Sequence, residues 1–238
     1  MTSPASSSPH SFVVAIDGPA GAGKSTVARL LASRLGMPYF DTGAMYRAVG
    51  LLALRGGLDV PLGSDAGAIV SRLLDEHAIS VAVRDGVSRV LIDGSDPGAK
   101  LRSRQAAMMA SAVSALSEVR RRMVAIQREL GHRHGGVMEG RDIGSVVFPD
   151  ALLKVYLTAS LRVRARRRLQ EMAQAEAEVT LAEMEWEVER RDRQDASRAD
   201  SPLVAAEGAV VVDSSSMSPD AVVERIVAEV LRRTAGGA

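Results

Sequence analysis

A chain of 238 residues, 46% of them hydrophobic, is long enough for one large α/β domain or for a core carrying small inserts. The absence of cysteine excludes disulfides and thiolate metal sites, and a net charge of +1 supplies no global field toward nucleic acid or membranes. No apolar run reaches the roughly 18 residues of a membrane-spanning helix, and the lack of cysteine fits the expectation of a cytoplasmic protein.

Residues 1–11 carry neither a positive cluster nor an apolar segment and are expected to form a disordered tail, not a signal peptide. Phe12–Asp17 is an apolar strand candidate. A helix follows over Lys24–Leu35, with Val27, Leu30, Leu31 and Leu35 on one face and Gly36 as its C-cap. Pro38–Asp41 reads as a short strand, and Gly43–Arg55 as a second helix ended by Gly56 and Gly57. This alternation predicts an α/β fold with a parallel sheet and crossover helices.

The texture changes between Leu58 and Arg104. A helix over Asp65–Glu76 leads into Ile79–Ile92, where apolar and polar residues alternate on either side of an Asp85-Gly86 turn. An antiparallel hairpin inside a parallel chain predicts a small inserted lobe over residues 58–104. The α/β alternation then resumes: a helix over Ser117–Leu130, strands over Gly135–Glu139 and Leu152–Ala159, helices over Ser160–Met172 and Thr180–Gln194, and a strand over Gly208–Ser215. Ser218, Pro219 and Asp220 open the last helix with a cap, a proline at the first helical position and an early acid.

The loop Gly18-Pro19-Ala20-Gly21-Ala22-Gly23-Lys24-Ser25 fits the pattern G-x-x-x-x-G-K-[ST]. Glycines let backbone N–H groups turn inward around phosphate oxygens, and the helix starting near Lys24 points its positive end at them. Lys24, one of three lysines with Lys100 and Lys154, is placed to reach the β- and γ-phosphates. The Ser25 hydroxyl is the candidate Mg²⁺ ligand. A strand before the loop and an amphipathic helix after it supply the context that a chance match lacks. A nucleoside triphosphate is therefore the expected ligand.

The loop does not name the reaction. No lysine is followed two positions later by aspartate, so the Asn-Lys-x-Asp guanine reader is missing, and the chain is short for a remodelling ATPase. A compact kinase with a second substrate fits better. Thr42 at a strand end, Arg47 in the next helix, and Arg141 and Asp142 after another strand are expected to open onto the same cleft, because ligands lie beyond the carboxyl ends of parallel strands. Taken alone, Arg141 and Asp142 also fit a surface ion pair at a turn.

Five stretches, "AIDGPAGAGKST", "YFDTGAMYRAV", "EGRDIGSVVFPDA", "KVYLTAS" and "RDRQDASR", occur in an order and spacing that resembles the bacterial cytidylate kinases, from about residue 12 to 233. The resemblance implies a nucleoside-monophosphate kinase fold over residues 12–238: a parallel β-sheet core flanked by helices, a monophosphate-binding lobe with antiparallel strands, and a helical lid over residues 170–198. It implies transfer from ATP to CMP or dCMP with Mg²⁺, by a monomer with no nucleic-acid or membrane partner. Carried over residue by residue, Gly18 through Thr26 form the ATP loop, and Thr42, Arg47 and Arg141 contact the acceptor phosphate. Ser111, Arg120 and Asp142 read cytosine. Arg191, Asp195 and Arg198 close over ribose and phosphate, and Lys24, Arg141 and Arg191 are the implied catalytic residues. Many relatives have serine directly after the aspartate, whereas here Ala196 intervenes before Ser197, so Ser197 receives no role.

Kinases acting on AMP, UMP or shikimate are the alternative within the same class. A nucleotide-dependent RNA-binding or regulatory protein is the alternative outside it. From Arg162 to Arg198, nine arginines are matched by nine acids and Trp186 is the lone aromatic, so the stacking platforms of a nucleic-acid surface are missing. Arg164, Arg167 and Arg168 are the candidates to reach ATP from the lid. Trp186 either reports lid closure or packs the lid helices. An acceptor phosphate is already largely ionised near neutral pH, so alignment and positive charge matter more than a general base, and the four histidines have no expected part.

Overall fold

A computed structural model describes residues 12–84, 86–172, 179–198 and 200–236. The expected tail, Asp85 of the hairpin turn and residues 173–178 of the expected lid lie outside these. In chain order the elements are β1 (Val13–Asp17), α1 (Lys24–Leu35), β2 (Tyr39–Asp41), α2 (Thr42–Arg55), α3 (Ala66–Glu76), β3 (Ile79–Arg84), β4 (Val87–Ile92), α4 (Arg104–Val113), α5 (Ser117–His134), β5 (Gly136–Glu139), β6 (Leu153–Thr158), α6 (Leu161–Met172), α7 (Leu181–Ala196), β7 (Val210–Asp213) and α8 (Pro219–Ala235). Helix α4 and a short 3₁₀ turn at Gly98–Arg102 are the regular elements that the sequence reading left unassigned in this region.

The strands form one sheet in the order β3-β4-β2-β5-β1-β6-β7, parallel except for β3. Every residue of β1 and of β5 is buried, which explains their apolar character up to the closing acids Asp17 and Glu139: a parallel strand covered on both faces has no solvent side. On one face, α1 and α8 pack Leu31, Val223 and Ile226 against Val14, Val155 and Leu157. On the other, Leu130 of α5 joins Phe40, Met138, Ile143 and Phe148. Each such side chain contributes about 1.5–3 kcal/mol on burial.

The β3–β4 hairpin forms as expected, with Ile79 opposite Ile92. It does not stand apart from the sheet, however. Residue Val87 pairs in parallel with Tyr39 of β2, and Ser88 Oγ donates to the Tyr39 carbonyl at 2.5 Å. The hairpin shares a second core with α2, α3, α4 and α5, built on Met45, Leu52, Met109 and Met123. A Cβ on Gly50 of α2 would sit 2.8 Å from the Ala110 nitrogen of α4, so only glycine allows these two helices to cross so closely. A third, small core of Ala165, Met184 and Val188 joins α6 to α7. Trp186 is 64% exposed and lies outside that core, with the Arg190 guanidinium 5.2 Å from its ring centroid. It does not pack the lid helices together.

The carboxyl ends of β1 and β5 are tied to each other by Asp17. Its two oxygens accept the N–H groups of Ile143 (2.8 Å) and Gly144 (2.7 Å), which open a π-helical turn at Ile143–Val147. Burial pushes its pKa up to about 6, against the opposing effect of these two bonds. An amide at this position presents an N–H₂ group to one of two buried N–H donors. Asp17→Asn is therefore expected to cost about 1–3 kcal/mol, measured as a lowered urea midpoint with an unchanged slope.

Candidate active site

Three connections leave the sheet at the carboxyl ends of neighbouring strands: the glycine loop after β1, Thr42 after β2, and Gly140–Asp142 after β5. Together with α4, α6 and α7 they enclose a cavity of about 490 Å³. The loop is bent by residues with no Cβ. Gly18 has φ +147°, and a Cβ there would lie 1.9 Å from the Leu157 carbonyl oxygen. Gly23 caps α1 without any side-chain bond to the first turn, which leaves the helix N–H groups facing the cavity entrance.

Lys24 is buried at the base of the loop and donates from Nζ to the Pro19 carbonyl at 2.7 Å. Burial, then the positive charges of Arg141 and Arg191, push its pKa down to about 7, while Glu139 and Asp17 oppose that shift. Across the cavity, Arg141 donates from Nε to Asp195 (2.9 Å), and Arg198 bonds the other oxygen of Asp195 and the Ser114 hydroxyl (3.0 Å). Burial raises the pKa of Asp195, but Arg141, Arg198 and Arg191 together outweigh this and hold the carboxyl below its usual range. Burial and the neighbouring Arg141 lower Arg191 to about 10. The Nε atoms of Arg47, Arg120, Arg191 and Arg198 are buried without hydrogen-bond partners. Of these arginines, Arg47, Arg191 and Arg198 line the cavity, and cationic side chains with unpaired donors there suit an anion.

Asp142 is buried and pairs with Arg120, whose guanidinium also lies 5.8 Å from the Tyr46 ring centroid. Adjacent in sequence, Arg141 and Asp142 thus take different partners, Asp195 and Arg120, and do not form a surface pair with each other. Thr42 Oγ donates to the Glu139 carbonyl (2.7 Å), and Arg47 is held by Asp41 (2.6 Å), which also caps α2 through Ala44. Thr42, Arg47, Ser111, Arg141, Asp142, Arg168, Arg191, Asp195 and Arg198 all line the cavity with Ala20, Gly21, Gly23, Lys24, Ser25 and Thr26. Gly18, Pro19 and Ala22 belong to the loop without lining it. Arg120 reaches the cavity through Asp142.

The lid arginines separate. Arg168 lines the main cavity and pairs with Glu171 at 3.1 Å. Arg167 spends its donors on the Ala22 carbonyl and on Ser214, and lines a second cavity of about 370 Å³ behind the loop. Arg164 differs from the expectation that it reaches ATP: it is buried beneath the loop, bonded to the carbonyls of Ala20 and Ala159 and to Asp192, and lines neither cavity. Its i, i+3 and i, i+4 relations to Arg167 and Arg168 place the three on a shared side of α6, but not at equal depth. Ser197 donates to the Gln194 carbonyl at the exposed end of α7, a local helix-end bond.

Four polar residues of the site have no role assigned from the sequence. Glu139 ends β5, accepts from the Tyr39 hydroxyl and hydrogen-bonds Ser25; burial and the nearby Asp41 raise its pKa. Ser114 links Arg120 to Arg198. Asp41 orients Arg47, and Asp192 contacts the loop. Glu139, Asp41 and Asp192 lie inside the quoted stretches, which is the signal that could have found them; Ser114 lies outside all five.

Set beside known proteins, residues 14–232 match the family model described as cytidylate kinase. The chain is 48% identical over 218 residues to the cytidylate kinase of Pelotomaculum thermopropionicum, covering 91% of this chain and 95% of that protein. It is 46% identical to that of Symbiobacterium thermophilum (91% and 94% covered) and 44% identical to that of Citrifermentans bemidjiense (96% of each).

The buried Asp195 pair makes a prediction with a sign. Its lowered pKa means a stabilising contribution that is present above the unfolded value of 3.8 and lost as pH falls through the folded value. Removing one partner of such a pair costs about 3–5 kcal/mol. Urea unfolding of Asp195→Ala is expected to show that deficit undiminished from neutral pH down to 3.8, and shrinking below it.

Proposed function

The chain belongs to the cytidylate kinase family, and we infer that it transfers the γ-phosphoryl group of ATP to CMP or dCMP, giving ADP and CDP or dCDP. The observation that carries this reading is the buried Arg120–Asp142 pair at the wall of an arginine-lined cavity that also holds the glycine loop. A carboxylate accepts from the N4 amino group of cytosine, and a guanidinium donates to N3 and O2. The acceptor's phosphate then falls to Arg47, Arg141 and Thr42, and the ribose to the Asp195–Arg198 corner.

The loop supplies the opposite half. Its N–H groups and Lys24 take the β- and γ-phosphates, and the nucleoside of ATP fits the second cavity, whose wall includes Val27, Met217, Pro219 and Val222. The oxygen donors at Ser25 and Glu139, with Asp41 beside them, suit Mg²⁺, a hard cation that favours oxygen ligands. Bound there with ATP, Mg²⁺ offsets charge on the β- and γ-phosphates. Arg191 and Arg141 face the path between the two phosphates, where negative charge must be held in line. Among the described residues no histidine lines the cavity, in keeping with an acceptor oxygen that needs no base. Closing α7 over both substrates keeps out water, the competing acceptor.

The reading is of a monomer acting on free nucleotides in the cytoplasm. No described helix is long and apolar enough to cross a membrane.

Lys24→Ala is expected to lower kcat by about 10³-fold or more, by analogy with a cation at the transferring phosphate, while the melting transition persists; near-normal turnover would exclude the assigned loop role. Uracil turns O4 toward the Asp142 carboxylate and an N3–H toward Arg120, leaving buried partners mismatched at about 1–3 kcal/mol each. Asp142→Ala should therefore lower kcat/KM for CMP about 10- to 100-fold more than for UMP, with the KM for ATP unchanged. Equal losses for the two bases would end the base-reading role.

A further inference from the structure

Two side chains of the α6–α7 pair hold a single residue of the ATP loop from both sides. Arg164 of α6 donates from Nη1 to the Ala20 carbonyl at 3.1 Å, and from Nε to the Ala159 carbonyl at 2.9 Å. The same Nη1 meets Asp192 Oδ2 of α7 at 2.5 Å. Asp192 Oδ1 in turn accepts the Ala20 N–H at 3.4 Å. Both backbone polar groups of Ala20 are thereby bound by residues of α6 and α7.

Asp192 is next in sequence to Arg191 and three residues before Asp195. One turn of α7 thus touches the ATP loop through Asp192 and the acceptor-side Arg141 through Asp195, with Arg191 lining the cavity between them. Successive residues of a helix are separated by a fixed rotation of about 100°, so docking Asp192 sets the direction of Arg191. That matters because the Arg191 Nε has no hydrogen-bond partner of its own; the placement of the helix, more than a bond at this atom, aims the guanidinium. A plain surface ion pair would not have this reach, and the pair is mostly sheltered, with side chains 9% and 20% exposed.

We propose that Asp192 is a positioning residue for phosphoryl transfer: by gripping Ala20 and Arg164 it registers α7 against the ATP loop and so seats Arg191 over the transferring group. The proposal rests on the kinase reading above. It assigns Arg164 a role as the other jaw of the grip instead of a contact to ATP.

The test is a double-mutant cycle in kcat between Asp192→Ala and Arg191→Ala, on the full chain with ATP, Mg²⁺ and CMP. If the unaltered protein gives no CMP-dependent ADP, the kinase reading fails and this proposal falls with it. With turnover present, Asp192→Ala is expected to lower kcat about tenfold or more, yet to cost less than about twofold when Arg191 is already alanine. Asp192→Asn keeps an oxygen for the Ala20 N–H but loses the charge partner of Arg164, and should fall between the two. It carries the cycle if the alanine variant melts early. Additive losses from the two sites, or a normal kcat in either Asp192 variant, would overturn the positioning role even though the enzyme remains a kinase.

Discussion

Three arginines, Arg141, Arg191 and Arg198, can stand in one cleft because Asp195 lies buried against two of them. Without that carboxylate, like charges a few ångströms apart in a poorly solvated space would repel strongly. With it, the cluster keeps a net positive surplus and two unpaired donors, the Nε atoms of Arg191 and Arg198. Such a surplus is what an incoming phosphate requires. The same aspartate is carried by α7, so the contact that balances the arginine charge also docks that helix at the cavity.

The sheet explains why the two half-sites meet. Parallel strands deliver their carboxyl ends to one side, and β1 and β5 are neighbours there. Asp17 then fixes how the chain leaves β5, since its two bonds to Ile143 and Gly144 set the turn from which Arg141 and Asp142 project. The residue immediately before the glycine loop thus shapes the part of the cavity wall that Arg141 and Asp142 form.

Much of this was legible in the sequence, and the limits have physical causes. The helix bounds at Lys24 and Leu35 and the Ser218-Pro219 start of α8 follow from local rules of capping and periodicity, which act over a few residues. The attachment of the hairpin to β2 through Tyr39 and Val87 depends on tertiary pairing that alternation cannot encode. Helix α4, with Ser111 and Ser114, lies in an Ala- and Met-rich stretch with a weak polar boundary. The lid arginines show the same limit in side chains. Spacing puts Arg164, Arg167 and Arg168 on α6, but whether each meets a carbonyl, a carboxylate or a cavity depends on what packs against that helix. Asp192 lies inside the quoted stretch "RDRQDASR", yet nothing local marks its bond to Ala20.

The account's central claim is that this cleft selects a cytosine-bearing monophosphate by hydrogen bonding at Asp142 and Arg120. The most direct measurement is ADP release by the purified protein with ATP and Mg²⁺, supplying CMP, dCMP, UMP, AMP or shikimate as the sole acceptor. The account predicts rapid release with CMP or dCMP and a far lower kcat/KM with each of the others. Comparable turnover with UMP, AMP or shikimate, or ADP release independent of any acceptor, would contradict it.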